Sequence, residues 1–217
     1  MPNSDKNIQE AGTSKERVIS YIDGFNLYFG LKSKGWRRYY WLDLQKLSQN
    51  LLKPYQSLEC TKYFTARISG QADKQKRQTT YIEALETLPD FRIFYGKYQH
   101  ISRRCRQCNF VEEVPIEKMT DVNIAVELLS DAFQNKYDAA YLISADSDLV
   151  QLIDTLKSLL PHKRIIVAFP PGRYSRDLAN KARFSLTIGR RIIAKSLFPA
   201  EIKKPDGFIL KCPDLWK

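Results

Sequence analysis

The sequence predicts a three-layer α/β/α sandwich with a mostly parallel sheet. Segments with strand-like and helix-like patterns alternate along the chain, and two of the strand-like segments, AAYLISAD (139–146) and KRIIVAFP (163–170), are almost continuously apolar. Such strands are typical of a parallel sheet that helices cover on both faces. The length of 217 residues suits one well-cored domain rather than two.

The elements follow in a regular order. Further strands are predicted at RVISYID (17–23), ECTKYFTARI (59–68), FRIFYGKYQHI (91–101) and FSLTIG (184–189). Helices are predicted at LYFGLKSK (27–34), LDLQKLSQNLL (42–52), residues 72–88, residues 120–133 with Thr120 as N-cap, residues 147–160 and SRDLANKA (175–182). The segment RRCRQCNFVEEV (103–114) indicates an inserted hairpin or knuckle.

This order divides the chain into three parts. Residues 1–16 are polar and are expected to form a flexible N-terminal extension, residues 17–196 the domain, and residues 197–217 a basic C-terminal tail. No apolar stretch approaches the roughly 20 residues that span a bilayer, and no signal-peptide core is present. We therefore expect a cytoplasmic protein without a membrane partner, whose four Cys are thiols or metal ligands.

The net charge of +11 is unevenly distributed. Residues 161–217 hold 13 Lys and Arg against 4 Asp and Glu, whereas residues 1–160 hold 22 against 20. A basic flank beside a nearly neutral body indicates a polyanionic partner, and nucleic acid is the favoured one. A merely solubilising surface is the alternative.

Four aspartates are predicted to meet at one edge of the sheet. Asp23 ends the apolar run VISYID, where an unpaired carboxylate is costly. Asp146 and Asp148 follow a buried strand, and Asp121 lies in a first helical turn. Because carboxyl ends of parallel strands collect reactive groups, and because clustered carboxylates raise one another's pKa, the set predicts a site for Mg²⁺ or Mn²⁺. Asn26 would orient a phosphate or a water there, or else cap the following helix.

Each carboxylate taken singly also has a structural explanation. Asp146 suits the cap of the next helix, and Asp148 and Asp121 suit first-turn charges. For Asp23, capping is the weaker explanation, so the joint occurrence favours a site. Glu127, six residues after Asp121, points roughly 120° away around the helix and is predicted to be a solvated acid.

Three segments together resemble the NYN-domain family, a branch of the PIN-like ribonuclease superfamily. They are YIDGFNLYFG (21–30), EKMTDVNIAVELL (117–129) and LISADSDLVQLI (142–153), followed by RIIVAFPPG, and the likeness extends over roughly residues 17–190. The resemblance implies a Rossmann-like, PIN-like fold and a metal-dependent endonuclease, mostly acting on RNA. The family's acidic positions fall on Asp23, Asp121, Asp146 and Asp148, with Asn26 beside the first, so these five are the predicted catalytic residues.

Basic residues beside aromatic rings are candidates for binding single-stranded nucleic acid, with RNA favoured over DNA. They are Arg37, Arg38, Lys118, Arg173, Arg176, Lys181 and Arg183, with Tyr174 as a stacking surface. Core packing is the favoured interpretation for the rings of Trp36, Tyr40 and Trp41. The oligomeric state is left open, a dimer included.

The pair Cys105 and Cys108 has the C-x-x-C spacing of half a zinc ribbon. A structural Zn²⁺ wants four ligands, which would have to come from Cys60, Cys212, His100 or a second subunit. A knuckle without metal explains the spacing equally well.

Two other enzyme classes fit less well. A phosphatase of the haloacid-dehalogenase type needs an Asp two residues after Asp23, where Phe25 stands, and a dinucleotide-binding enzyme needs a glycine-rich loop that DGFNLYFG lacks. The remaining rival is an RNA-binding or regulatory module that keeps the fold without cutting.

Overall fold

The computed structural model describes residues 15–104 and 106–217, without the side chains of 98–101 and 113–117. The extension predicted at 1–16 thus lies almost wholly outside the described residues, and Glu16 already begins the first strand.

The strands are β1 (Glu16–Asp23), β2 (Gln56–Thr65), β3 (Phe91–Tyr95), β4 (Lys97–Arg104), β5 (Val111–Lys118), β6 (Ala139–Ile143), β7 (Arg164–Phe169), β8 (Phe184–Thr187), β9 (Glu201–Lys203) and β10 (Ile209–Lys211). The α-helices are α1 (Gly24–Ser33), α2 (Leu44–Leu51), α3 (Ala72–Leu85), α4 (Thr120–Phe133), α5 (Val150–Leu159), α6 (Arg176–Lys181) and α7 (Arg190–Lys195), with 3-10 turns at Arg37–Tyr39, Ser147–Leu149 and Asp214–Trp216.

Six strands form one parallel sheet in the order β3-β2-β1-β6-β7-β8, which confirms the predicted architecture. The chain winds outward from β1 to β3 on one side and from β6 to β8 on the other. The neighbouring strands β1 and β6 therefore mark the topological switch point, where the loops at the carboxyl ends of the strands diverge and leave a crevice.

Each face of the sheet carries its own apolar core. On one face, α1, α2, α3 and α7 pack over residues such as Val18 and Ile22 of β1. On the other face, α4, α5 and α6 pack over Ile19 and Tyr21 of the same strand. Both faces of β1 are covered because successive side chains of a strand point to opposite faces, and β1 is almost wholly buried from Val18 onward.

The predicted strand at 91–101 is in fact two strands of different sheets. β3 ends at Tyr95 beside β2, and after Gly96 the chain leaves the sheet as β4, which pairs with β5 in a separate antiparallel hairpin. The inserted hairpin is therefore longer than the predicted 103–114. The alternating pattern of FRIFYGKYQHI is typical of a strand throughout, but such a pattern does not specify which strand is its partner.

The C-terminal segment 197–217, predicted only as a basic tail, contains the hairpin β9–β10 and packs on the domain. Trp216 contacts the rings of Tyr40, Trp41 and Tyr81 at centroid distances of 5.9, 6.4 and 6.0 Å. Trp41 Nε1 donates a hydrogen bond to the carbonyl oxygen of Pro199 over 2.8 Å. The rings thus fasten the segment to the face that carries α1 and α3. In the described part of the chain, no helix has the length and apolar character needed to span a membrane.

Candidate active site

Asp23 lies at the end of β1 with only 2% of its surface exposed. Its Oδ1 accepts a hydrogen bond from the backbone N–H of Asn26 at 2.9 Å, and its Oδ2 accepts from Asn26 Nδ2 at 2.6 Å and from Ser144 Oγ at 2.9 Å. Asp23 is therefore the N-cap of α1, contrary to the expectation that capping was its weaker explanation. A carboxylate offers about four lone-pair positions, so three donors leave room for a further ligand.

Ser144 joins the two strands at the switch point. While its hydroxyl donates to Asp23, its Oγ accepts the backbone N–H of Asp146 at 3.0 Å. Asp146 Oδ1 in turn accepts the N–H of Asp148 at 3.1 Å, which caps the 3-10 turn at Ser147–Leu149. Asp146 is half-buried and Asp148 exposed. Sequence reasoning missed Ser144, although its position directly after the buried strand β6 was a usable signal.

The pKa of Asp23 lies above the usual aspartate value. Burial is the main cause, because it disfavours the charged carboxylate, and the hydrogen bonds from Asn26 and Ser144 offset part of this effect. The nearby charge of Asp146 raises the pKa further. The charge of Asp146, in the turn after β6, thus acts in the same direction as burial on the pKa of Asp23.

Two glycines let helix α1 approach its neighbours closely enough to hold Asp23 in place. A Cβ on Gly24 would lie 2.7 Å from both the carbonyl oxygen of Phe64 and the ring of Tyr63, and one on Gly30 would lie 2.7 Å from the carbonyl oxygen of Pro171. Larger residues at either position would push the helix away from the ends of β2 and β7. Position 24 therefore requires glycine, because α1 begins directly after Asp23 and lies against the end of β2.

Asp121 lies in the first turn of α4, half-buried. This helix packs against the 3-10 turn that carries Asp148, so the third segment also reaches the switch-point edge. The predicted cap is wrong in detail, because Met119 is the N-cap, with φ of 81°, and Thr120 is the first helical residue. The left-handed residue turns the chain directly from β5 into the helix.

Three carboxylates of the candidate site, Asp23, Asp146 and Asp148, have no lysine or arginine partner among the side chains that the structure describes. The oxygen donors suit a hard divalent cation. Their spacing is not that of a finished metal site, since no three His, Cys, Asp or Glu side chains of the described residues form a metal-binding group.

The predicted nucleic-acid-binding residues are exposed but differ in their contacts. Arg37 lines a cleft beside α1, and Arg173 lies over the ring of Phe29 at 5.8 Å. Arg38 donates to the hydroxyl of Tyr39 at 2.7 Å, and Lys181 pairs with Asp154 at 2.7 Å. The others are exposed on β5, on α6 and before β8: Lys118, Arg176 and Arg183.

The zinc hypothesis rests on residues that the structure describes only in part. Cys105 lies outside the described residues, and Cys108 is an exposed free thiol on the hairpin. Cys60 is half-buried in β2, and Cys212 is buried after β10. The zinc site stays a prediction.

The parallel α/β/α fold, with aspartates at its switch point, is the arrangement that the resemblance to PIN-like nucleases implied. The NYN domain model matches residues 17–187, so the chain belongs to the NYN-domain family, within the PIN-like nuclease superfamily, as the sequence motifs predicted. A solved protein of unknown function from Vibrio parahaemolyticus has the same fold, with a TM-score of 0.54 and 17% identity, covering 91% of this chain and 100% of that one.

One curated relative is 27% identical over 176 residues. It is the 6-hydroxy-3-succinoylpyridine 3-monooxygenase HspA of Pseudomonas putida, and the match covers 65% of this chain and 56% of that protein. The chain thus spans little more than half the length of this relative.

Proposed function

We propose that this protein is a divalent-metal-dependent endonuclease that hydrolyses phosphodiester bonds in single-stranded RNA. Membership of the NYN-domain family indicates a nuclease, and the basic surface indicates nucleic acid as its partner. The proposal goes beyond both in naming the catalytic residues, the metal and the polymer.

The observation that carries the proposal is the burial of Asp23 beside Asp146 without a cation from the described residues. Folding concentrates negative charge at the switch point, and the cost of that charge falls when a cation binds. Asp23 and Asp146 would hold Mg²⁺ or Mn²⁺, and Asp148 and Asp121 would complete the ligand set. Because no three of these side chains yet form a metal-binding group, we expect side-chain rearrangement on binding.

Two neighbouring side chains position the carboxylate of Asp23 for this role. Ser144 and Asn26 hold the Asp23 carboxylate in one orientation through three hydrogen bonds, so its free lone pairs point in a fixed direction. The amide of Asn26 is thereby used to orient Asp23, which differs from the predicted phosphate contact. A divalent cation, when bound, supplies activation of water and stabilisation of charge on phosphate.

The basic residues near this edge would bind the RNA backbone. Arg173 follows β7 and lies above α1, one strand away from Asp146 in the sheet order. Its guanidinium, exposed and without an ion-pair partner in the described chain, is suited to a phosphate. Exposed rings close by, Phe29 and Tyr174, provide surfaces on which bases stack, as in other proteins that bind single strands.

The name of the curated relative indicates a different reaction, oxygenation of a pyridine derivative. We do not transfer that activity, because the match is only 27% identical and covers only 56% of the relative. The rival that we retain is a module that binds RNA without cutting it, which the same surface would serve.

Cleavage of end-labelled single-stranded RNA and DNA, with Mn²⁺, Mg²⁺ or EDTA, tests the proposal. We expect RNA cleavage that requires the metal and falls at least about 100-fold in Asp146→Asn, in line with the loss of a principal catalytic group. Asp206→Asn is the matched control, since Asp206 is an exposed acid in the turn of the β9–β10 hairpin.

The outcomes separate the two candidates. Binding of RNA without cleavage, unchanged by Asp146→Asn, would support the binding module instead. Cleavage that persists in EDTA, or that is equal in Asp146→Asn and Asp206→Asn, would contradict the assignment of the carboxylates.

A further inference from the structure

A cleft of about 890 Å³ lies beside the candidate active site. It is bounded by α1, by the loop after β2, by α3 and by the 3-10 turn at Asp214–Trp216. Its lining includes Gly24 and Phe25, which directly follow Asp23, and Thr65, the last residue of β2. The cleft and the carboxylates therefore share the same edge of the sheet.

Aromatic rings form much of the wall. Tyr28, Tyr40, Trp216 and Tyr81 follow one another around the cleft, with centroid distances of 5.1, 5.9 and 6.0 Å between successive rings. The hydroxyl of Tyr81 donates to the carbonyl oxygen of Leu42 at 2.7 Å, which fixes that ring. Such a wall offers a planar ligand several surfaces for stacking, and stacking of one base on such a ring is worth about 1–3 kcal/mol in other proteins.

The charged residues of the cleft are all basic. Lys32, Arg37, Lys74 and Arg77 belong to its lining, and no Asp or Glu of the described residues does. None of the four forms an ion pair with a described residue. Cations that lack an ion-pair partner among the described residues, placed beside an aromatic wall, attract an anion that carries an aromatic ring.

We propose that this cleft binds one nucleotide of a single-stranded nucleic acid, with its base against the rings and its phosphate at the basic residues. The inference rests on the proposed function and adds a subsite to it. The bound nucleotide would place the adjoining phosphodiester at Asp23, because the residues after Asp23 form the cleft wall. Four cations suit the repeated charges of a polynucleotide better than the single charge of a small aromatic acid.

One wall of this subsite lies outside the family domain. The match to the NYN model ends at residue 187, whereas Trp216 and Leu215 line the cleft. The C-terminal segment would therefore take part in substrate binding in addition to covering apolar surface.

Removal of two cleft cations tests the proposal. We compare Lys74→Gln/Arg77→Gln with a matched double variant on α7, Arg191→Gln/Lys195→Gln, whose residues are exposed and lie outside the cleft lining. Binding of a short labelled single-stranded RNA is measured in EDTA, so that cleavage plays no part. We expect about tenfold weaker binding in the cleft variant, and a salt dependence whose slope falls by about 0.7 for each lost phosphate contact.

Tryptophan fluorescence provides a second measurement, which reports on the aromatic wall of the cleft. The chain has three Trp, and of these only Trp216 lines the cleft among the described residues. We expect a nucleoside monophosphate to quench the fluorescence of the wild type and of Trp36→Phe, and not that of Trp216→Phe. Phe keeps an aromatic wall, so the variant preserves the packing with Tyr40 and Tyr81.

The outcomes distinguish this inference from the proposed function. Metal-dependent cleavage with equal RNA affinity in the two double variants would overturn the subsite and leave the nuclease proposal standing. Cleft-dependent binding without cleavage would support the subsite and contradict the nuclease. Quenching of Trp216 by small aromatic acids, but not by nucleotides, would overturn the nucleotide proposal.

Discussion

Asp23 and Asp131 are buried almost equally, with 2% and 1% of their surfaces exposed, but their neighbours differ. Asp131 accepts hydrogen bonds from the buried ammonium of Lys62, from Tyr21 Oη at 2.7 Å and from Lys136 Nζ at 3.2 Å. Among the described residues, Asp23 accepts hydrogen bonds from neutral groups alone, those of Asn26 and Ser144, and the charge of Asp146 acts on it. Two lysines thus neutralise Asp131, whereas no cationic side chain of the described residues forms an ion pair with Asp23.

The pKa values of the two carboxyl groups shift in opposite directions. Burial raises the pKa of both, but at Asp131 the hydrogen bonds from Lys62 and Tyr21 and the charge of Lys62 outweigh burial and lower the pKa. At Asp23, burial prevails over its hydrogen bonds and the pKa is raised. Burial of a carboxylate is therefore not by itself a sign of function, and the identity of its partners is what separates the two regions.

The largest expected effect is the loss of the cation in the paired region. Lys62→Met leaves Asp131 buried with only one exposed lysine, Lys136, and also removes the 2.6 Å contact of Lys62 with Glu127. We expect the free energy of unfolding to fall by about 3–5 kcal/mol, because the buried carboxylate of Asp131 then loses its buried counter-ion. Urea unfolding measures this loss.

Lys136→Met is the control for that experiment. Lys136 is 45% exposed, so its pair with Asp131 should contribute at most about 1 kcal/mol. If Lys62→Met and Lys136→Met lost the same free energy, the paired region would not be held together as we describe.

The next effect concerns the unpaired region. Mn²⁺ should stabilise the wild type against thermal unfolding, by about 2.7 kcal/mol at a concentration 100 times the dissociation constant. Asp23→Asn should lose most of this gain, whereas Asp131→Asn should keep it. A differential scanning measurement with and without Mn²⁺ checks this, and equal stabilisation of the two variants would place the metal elsewhere.

A smaller effect should appear as opposite pH dependences. Because the folded pKa of Asp23 is raised, its contribution to stability is present below the unfolded value of about 3.9 and is lost as the pH rises through the folded value. Because the pKa of Asp131 is lowered, its contribution is present above the unfolded value and is lost as the pH falls. Metal-free unfolding of wild type, Asp23→Asn and Asp131→Asn between acid and neutral pH measures both.

We expect Asp23→Asn to gain stability relative to the wild type as the pH rises, and Asp131→Asn to lose it. A change of the same sign in both variants would remove the distinction between the two regions.

The sequence predicted one of these regions and not the other. Asp23 stands out because it ends a continuous apolar strand, and its meeting with Asp146 follows from the rule that carboxyl ends of parallel strands share an edge. Lys62 and Asp131 come from a strand and from a helix that meet only when the sheet is covered, and no local pattern indicates such a pair. For the same reason Glu127, predicted to be a solvated acid, is found paired with Lys62.

The smallest expected effect extends the comparison to the surface. Lys181 is paired with Asp154 at 2.7 Å, whereas Arg173 has no ion-pair partner among the described residues and lies over Phe29. A lysine that already faces a carboxylate should release fewer counterions when RNA binds. We expect Arg173→Gln to lower the salt-dependence slope of single-stranded RNA binding by about 0.7, and Lys181→Gln to change it by less than half as much.

Titrations at several salt concentrations measure both slopes, with Lys195→Gln as the control. If Lys181→Gln lowered the slope as much as Arg173→Gln, an ion pair with a carboxylate would not reduce the contribution of a surface cation to RNA binding. The difference between paired and unpaired charged groups would then apply only to buried residues such as Asp131 and Asp23.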